Sequence, residues 1–391
     1  MEKEMEPDVV VKVGDCIVSP LGDTTRKNYE AVRKGDSRLC YYEHPWNLPE
    51  SLYASLFSQE QWQEVDECLS LSIPYTRFEK IVILSAKQAL EEAGIDPSSE
   101  RVLFLLSTTK GNVELLAERE QPRFPAARVL LGETALQVSR YFRNPNTPLV
   151  LSNACISGVS AQVAAMRLLL SGAYDSIVVM GADCQSPFIV SGFQSFKALS
   201  TELCRPFDKD RCGLNLGEAA TTIVLTRKAR LEVAAEDWVL RQGGICNDAN
   251  HISGPSRTGE GSYRALLKAL QGISSEELAF VNVHGTATAY NDEMESIALD
   301  RAGLSSVPVN GLKGYFGHTM GAAGILESLL SMEAVDDHCV LATRGFESLG
   351  VSRPVRVSNR VGVTNQRAFI KLMSGFGGCN AALLYQKGGT L

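Results

Sequence analysis

Cys155 lies in the stretch Asn153-Ala154-Cys155-Ile156-Ser157-Gly158-Val159-Ser160, between an apolar run at 149–152 and a segment, 160–170, with apolar residues at helical spacing. The pattern predicts a buried strand, a tight turn at the cysteine eased by Gly158, and a helix. A thiol at a helix N-terminus feels the positive end of the helix dipole, so its pKa is expected to fall toward the thiolate. A cysteine in such a turn is otherwise a small buried apolar residue. Two histidine segments tip the balance toward chemistry. In Val283-His284-Gly285-Thr286-Ala287-Thr288, continuing to Glu295, a predicted strand delivers His284 to a loop whose hydroxyls and amides can grip a polar chain. In Lys313-Gly314-Tyr315-Phe316-Gly317-His318, continuing to Gly324, His318 follows a glycine. Two of only five histidines thus sit at element ends beside glycines, which admit a ligand close to the backbone. A third segment, Ser374-Gly375-Phe376-Gly377-Gly378-Cys379-Asn380-Ala381, is a glycine-rich turn between two predicted strands. Cys155, His284 and His318 form a Cys-His-His constellation suited to covalent catalysis at sulfur with two imidazoles in support.

The elements that must position these residues alternate. Strands are predicted at 9–13, 102–107, 149–152, 176–180 and 219–225, with helices at 24–34, 77–93 and 126–142 and a mixed segment at 186–199. Residues 36–75 read as an irregular surface excursion. The second part repeats the alternation, with strands at 239–243, 279–283 and 307–309, helices at 261–270, 292–302 and 321–335, and a closing hairpin at 369–373 and 381–385. This implies an α/β fold with helix-covered sheets. Cys155 precedes a helix and then a strand near Ile177; His318 precedes a helix and then a strand near Val340. Both spacings are about 22 residues, as a duplicated unit would give.

The 391 residues exceed one ordinary core and predict two lobes, and 45% hydrophobic with 21% charged residues describes a globular chain. A net charge of −7 argues against non-specific nucleic-acid binding. The acidic start, Met1 to Glu6, has no signal-peptide character, and no apolar run reaches membrane-span length. The ten cysteines are scattered without a C-x-x-C pair, so neither a disulfide framework nor a metal site is expected, and a cytoplasmic setting is.

On these motifs the sequence resembles the β-ketoacyl-[acyl carrier protein] synthases of the thiolase-like superfamily, on the elongating, Cys-His-His side. The likeness runs nearly end to end, through Val18–Gly22, Asn153–Val159, Arg205-Pro206-Phe207-Asp208-Lys209-Asp210-Arg211, His284–Asp292, Lys313–Gly324 and Gly375–Asn380. The resemblance implies a thiolase fold, five-layered αβαβα, from two related halves: residues 1–230 with the nucleophile and 231–391 with the two histidines. It implies decarboxylative Claisen condensation of an acyl thioester with malonyl-[acyl carrier protein], in fatty acid or specialised polyene or polyketide-like synthesis. Cys155 would carry the acyl group, and the N–H groups of Cys155 and Phe376 would form the oxyanion hole. His284 and His318 would stabilise the enolate as neutral donors. Lys313 would orient the histidines, with Glu295 as its carboxylate partner. Ser253, Thr286 and Thr288 match positions that bind the phosphopantetheine arm, Phe193, Phe376 and Gly377 the substrate channel, and Lys197 a carrier contact. No cofactor bound by the chain and no metal is implied; the partners are acyl carrier protein and a second synthase-like subunit, identical or not.

Some positions depart from the family pattern. The segment between Ser107 and Leu149 is short, and Lys110 falls where the family lines its acyl pocket, so Lys110 either pairs across a dimer or makes the pocket short or polar. Gly314 replaces a hydroxyl residue. Four alternatives stay open at this point: a thiolase acting on coenzyme A esters with Cys379 as its second cysteine, an initiating synthase, which His318 disfavours, a non-catalytic chain-length-factor subunit, which Cys155 disfavours, and the active subunit of a heterodimer with a chain-length-factor-like partner.

Overall fold

The computed structural model describes residues 8–69, 71, 73–117, 122–251 and 254–390. Its main sheet is built from β1 (Val9–Val18), β2 (Val102–Ser107), β3 (Leu149–Leu151), β4 (Ser176–Asp183), β5 (Ala219–Lys228), β6 (Trp238–Asn247), β7 (Leu278–Asn282), β8 (Pro308–Asn310), β9 (Arg356–Val357), β10 (Ala368–Gly375) and β11 (Cys379–Lys387). The spatial order is β9-β8-β7-β10-β11-β6-β1-β5-β4-β2-β3. Reading outward from the β1–β6 junction, each side has the same scheme: two antiparallel pairings, then parallel ones. The junction is only two residue pairs long, Val10 with Leu240 and Val11 with Val239. Two halves of like topology therefore meet along their first strands.

Five helices complete the layers: α1 (Arg77–Ala93), α2 (Ser157–Leu170), α3 (Glu260–Ala269), α4 (Ala289–Arg301) and α5 (Ala323–Asp336). Helix α1 covers the outer face of the first half, and α3 with α4 that of the second. Between the halves lie α2 and α5, each 14 residues long and buried nearly all round, as a middle layer requires. The result is the five-layered αβαβα thiolase fold. The spacing of 22 marks α2 and α5 as counterparts, but the strand near Val340 is not the counterpart of β4. Among the described residues Cys339–Val340 pairs with Gly362–Val363 alone, in a small separate sheet, and β10 takes β4's place after an inserted loop.

The two middle helices approach through glycine. A β-carbon at Gly158 would lie 2.9 Å from the Gly321 carbonyl oxygen, and one at Gly324 would lie 2.6 Å from the Val159 nitrogen. Only hydrogen fits at either point. Cys155 and His318 each precede one of these helices, so the contact brings their side chains into one cleft.

The excursion at 36–75 is more ordered than its composition indicates. Cys40–Tyr42 and Leu52–Ser55 join Leu216–Gly217 in a three-stranded sheet, and Gln59–Leu69 is helical. Trp62, Val65 and Leu69 form that helix's buried stripe, a periodicity the surrounding prolines and aromatics obscure. Among the described residues no helix is long and apolar enough to cross a membrane.

Candidate active site

Cys155 sits where β3 turns into α2. Ala154 adopts a left-handed φ of +45°, unusual for a residue with a β-carbon. Ser157 holds the turn: its hydroxyl donates to the Ala154 carbonyl at 2.6 Å and accepts the Asn153 N–H at 2.8 Å. The sharp reversal places Sγ at the cavity floor, where the Phe376 N–H is directed at it. The thiol's environment corrects the expectation of a depressed pKa. With the residue only 7% exposed, burial pushes the thiol up to about 12, and Cys379 adds to it, while Lys313 and the Phe376 amide pull it back only in part. The resting group is a neutral thiol.

His284 leaves β7 and His318 precedes α5, and both are buried, at 3% and 1% exposure. Their rings meet edge to face with centroids 5.1 Å apart. Cys155 Sγ and one ring nitrogen of each histidine all lie within 4.8 Å of one another. Burial first, then the Lys313 charge, holds both imidazoles well below the usual histidine pKa, so both are neutral at physiological pH. The Met320 N–H donates to His318 Nδ1 at 3.3 Å, which puts the proton of the neutral ring on Nε2. That Nε2 and His284 Nδ1 are buried without a hydrogen-bond partner among the described residues. Buried polar atoms left open in this way fit a ligand that completes them.

Behind the histidines lies an ionic cluster. Lys313 Nζ donates to the His284 carbonyl and, at 2.8 Å, to Glu327 Oε1. The carboxylate partner of Lys313 is therefore Glu327 on α5, not Glu295. Glu295 is turned to the backbone, accepting the N–H groups of His284 and Gly285 at 2.7 Å each and the Asn291 amide at 2.8 Å. Burial, with repulsion from Asp292, raises its carboxyl to about 7. Glu295 thus supports His284 through its peptide rather than through the lysine.

The cavity above the triad measures about 620 Å³. Thr286 and Thr288 line it, their hydroxyls 2.8 Å apart, as do Phe193 and Phe376, whose ring centroids are 5.8 Å apart. Lys197 reaches the wall from an exposed position. Gly377 does not line the cavity: at φ +84° it is the exposed corner of the turn, and its neighbours Gly375, Phe376 and Gly378 form the wall. Ser253 lies outside the described residues. Lys110 is exposed and does not line the cavity; its own N–H donates to Asp183 at 3.1 Å.

Four supporting residues escaped the sequence reading. Lys371 is the single charge in β10 and Glu327 a buried charge among the apolar first turns of α5, a signal that was present. Asp183, at the end of β4, accepts the amides of Thr109, Lys110 and Gly321. Asp292 ties the two motifs Arg205–Arg211 and His284–Asp292 together by accepting the N–H groups of Phe207, at 2.7 Å, and Thr286, at 3.0 Å.

A mirrored five-layer α/β fold with a cysteine and two neutral histidines at the meeting of its middle helices defines the class of thiolase-fold condensing enzymes. Residues 74–230 match the beta-ketoacyl synthase N-terminal domain and residues 239–347 its C-terminal domain. The chain is 30% identical over 419 residues to 3-oxoacyl-[acyl-carrier-protein] synthase 2 of Vibrio cholerae, covering 97% of this chain and 99% of that protein. It is 28% identical over 424 residues to the protein of the same name in Rhizobium meliloti, with 97% and 98% covered. Among solved structures it superposes on a beta-ketoacyl synthase from Burkholderia phymatum (TM-score 0.84, 25% identity, 97% and 99% covered). It also superposes on the ishigamide ketosynthase/chain length factor (TM-score 0.85, 26% identity, 97% and 99% covered). The chain belongs to the beta-ketoacyl synthase family.

Proposed function

We propose that this chain catalyses the decarboxylative Claisen condensation of an acyl thioester with malonyl-[acyl carrier protein], giving a 3-oxoacyl-[acyl carrier protein]. The observation that carries it is the convergence of Cys155 Sγ with two neutral imidazoles within 4.8 Å, beneath the Phe376 amide. In the first step Sγ attacks the carrier-bound acyl thioester. The N–H groups of Cys155 and Phe376 take the charge developing on the thioester oxygen. The carrier thiolate leaves, and the proton from Sγ ends on it, so the thiol is neutral until it reacts. In the second step a malonyl thioester occupies the cavity, its carbonyl oxygen accepting hydrogen bonds from His284 and from His318 Nε2. Loss of carbon dioxide leaves the electron pair in an enolate held by those two donors. The enolate carbon attacks the acyl carbonyl, the carbon–carbon bond forms, the Cys155 carbon–sulfur bond breaks, and the departing thiolate takes a proton from solvent. Neutral donors suit an enolate because they stabilise the developing charge without being consumed by it.

Ser253, Thr286 and Thr288 would hold the phosphopantetheine arm, Phe193 and Phe376 would border the acyl pocket with Phe376 as its gate, and Lys197 would contact the carrier protein. Lys313 positions His284, and the two halves, 1–230 and 231–391, contribute the nucleophile and the histidines. The chain would bind no cofactor of its own, and its ten free thiols accord with a cytoplasmic setting. The acyl carrier protein and a synthase-like second subunit are the partners, and the pathway is fatty acid or polyketide-like synthesis. A thiolase role is disfavoured because Cys379 does not line the cavity; its Sγ faces the Phe376 carbonyl at 3.2 Å. The test is product formation from matched acyl donors. Acyl and malonyl groups on carrier protein should give the 3-oxoacyl product with carbon dioxide release, and coenzyme A esters little. The reverse preference would contradict the proposal.

A further inference from the structure

Lys371 lies in the middle of β10 and is wholly buried, between Ile370 and Leu372, which are buried as well. An apolar residue would fill that position without the cost of burying a charge, so its partners matter. Its Nζ donates to Glu327 Oε2 at 2.6 Å and to the Val283 carbonyl at 3.1 Å. Lys313 donates to the other oxygen of the same carboxylate and to the next carbonyl, that of His284. Two lysines from different elements thus share one glutamate and grip consecutive peptide carbonyls at the point where His284 leaves β7.

We propose that Lys371 is a second positioning residue for the condensation: it clamps the Val283–His284 peptide and leaves an excess of positive charge behind the two histidines. This rests on the role given above to His284. The groups facing the imidazoles are few. From β10 comes Lys371, and Lys313 follows β8; α5 carries Glu327, α4 carries Glu295 and Asp292, and the α2 turn carries Cys155. The two ammonium groups share the Glu327 carboxylate, while Glu295 and Asp292 are turned to backbone N–H groups and burial raises both of their carboxyls toward the neutral form, so the lysines oppose protonation of either ring, and burial of the rings acts in the same sense. The clamp serves the enolate step, in which the imidazoles must donate as neutral groups. Acyl transfer to Cys155 depends on the Phe376 and Cys155 amides and does not need it.

Lys371→Met, close in shape and uncharged, tests this in the full chain. Imidazole nitrogen resonances in histidine-labelled protein are followed from pH 8 to 5, assigned with His284→Ala and His318→Ala. In the wild type both rings should stay neutral; in Lys371→Met at least one should begin to titrate within this window. Condensation should fall at least tenfold, while acyl transfer to Cys155 stays within twofold. Rings that stay neutral, or acyl transfer and condensation lost in parallel, would overturn the proposal. Should the methionine variant not fold, Lys371→Gln keeps a donor for the Val283 carbonyl without the charge and carries the same test. The outcome is separable from the parent reading. If His284→Ala still condenses, the role of His284 fails; if His284→Ala is inactive and Lys371→Met is normal, only the clamp fails.

Discussion

Replacing Gly375 with alanine should disable the site without touching any reactive atom. A β-carbon there would stand 2.9 Å from Cys379 Sγ, 3.1 Å from the Cys155 nitrogen and 3.2 Å from the Ala154 β-carbon. The thiol of Cys379 can rotate aside, but the Cys155 amide and Ala154 belong to the strained nucleophile turn and cannot. Overpacking of this kind costs about 1–3 kcal/mol of stability. The same push moves the Cys155 N–H and, through the adjoining residue, the Phe376 N–H, the two proposed oxyanion donors. Loss of one such donor typically costs about 10²- to 10³-fold in rate, or about 2.7–4 kcal/mol. Both half-reactions pass through an oxyanion at the Cys155 thioester, so acyl transfer and condensation should fall together by about two orders of magnitude. The assay is single-turnover acylation by quenched mass spectrometry, with denaturant unfolding in parallel. Adding Cys379→Ala should recover part of the stability but not the rate. Acylation within twofold of wild type in Gly375→Ala, or full recovery of rate with Cys379→Ala, would refute the oxyanion assignment.

Alkylation of Cys155 should rise about tenfold per pH unit between pH 7 and 9, because burial holds its pKa near 12 and only the thiolate reacts. Iodoacetamide should therefore label the exposed Cys40, Cys68 and Cys212 before Cys155, as peptide mapping would show. His284→Ala and His318→Ala should each abolish condensation while sparing acyl transfer, and near-normal condensation in either variant would remove that histidine from the mechanism. Glu295→Ala leaves the His284 and Gly285 amides buried without acceptors, at about 1–3 kcal/mol each, so a denaturation midpoint unchanged from wild type would contradict its backbone role. With its carboxyl raised to about 7, Glu295 binds its proton in the folded state before the unfolded one does. Its contribution to stability therefore grows as pH falls from about 7 toward 4.5, and Glu295→Gln should remove that slope from the pH dependence of unfolding.

The alternation of strands and helices and the positions of Cys155, His284 and His318 were legible in the sequence because each is written locally: an apolar run, a turn glycine, a reactive residue at an element end. What was not legible depends on distant residues meeting. The spacing that pairs α2 with α5 cannot show that an inserted loop separates α5 from β10. Glu295 and Glu327 are both acidic residues on helices near the histidines, and only the packing of α5 against β10 turns Glu327 to the two lysines. A helix N-terminus favours the thiolate of Cys155, but burial is the larger effect, and it depends on the fold. The motif left Lys110 either lining the pocket or pointing outward, and only the fold shows that it is exposed and away from the cavity.

The most direct test of the account is to follow the acyl group itself. The wild-type chain is incubated with acyl-[acyl carrier protein], quenched, digested and mapped by mass spectrometry, and then chased with malonyl-[acyl carrier protein]. The acyl mass should appear on the peptide containing Cys155, disappear during the chase, and reappear as 3-oxoacyl-[acyl carrier protein], with none of this in Cys155→Ala. An acyl group on any other residue, or a 3-oxoacyl product from Cys155→Ala at the wild-type rate, would contradict it.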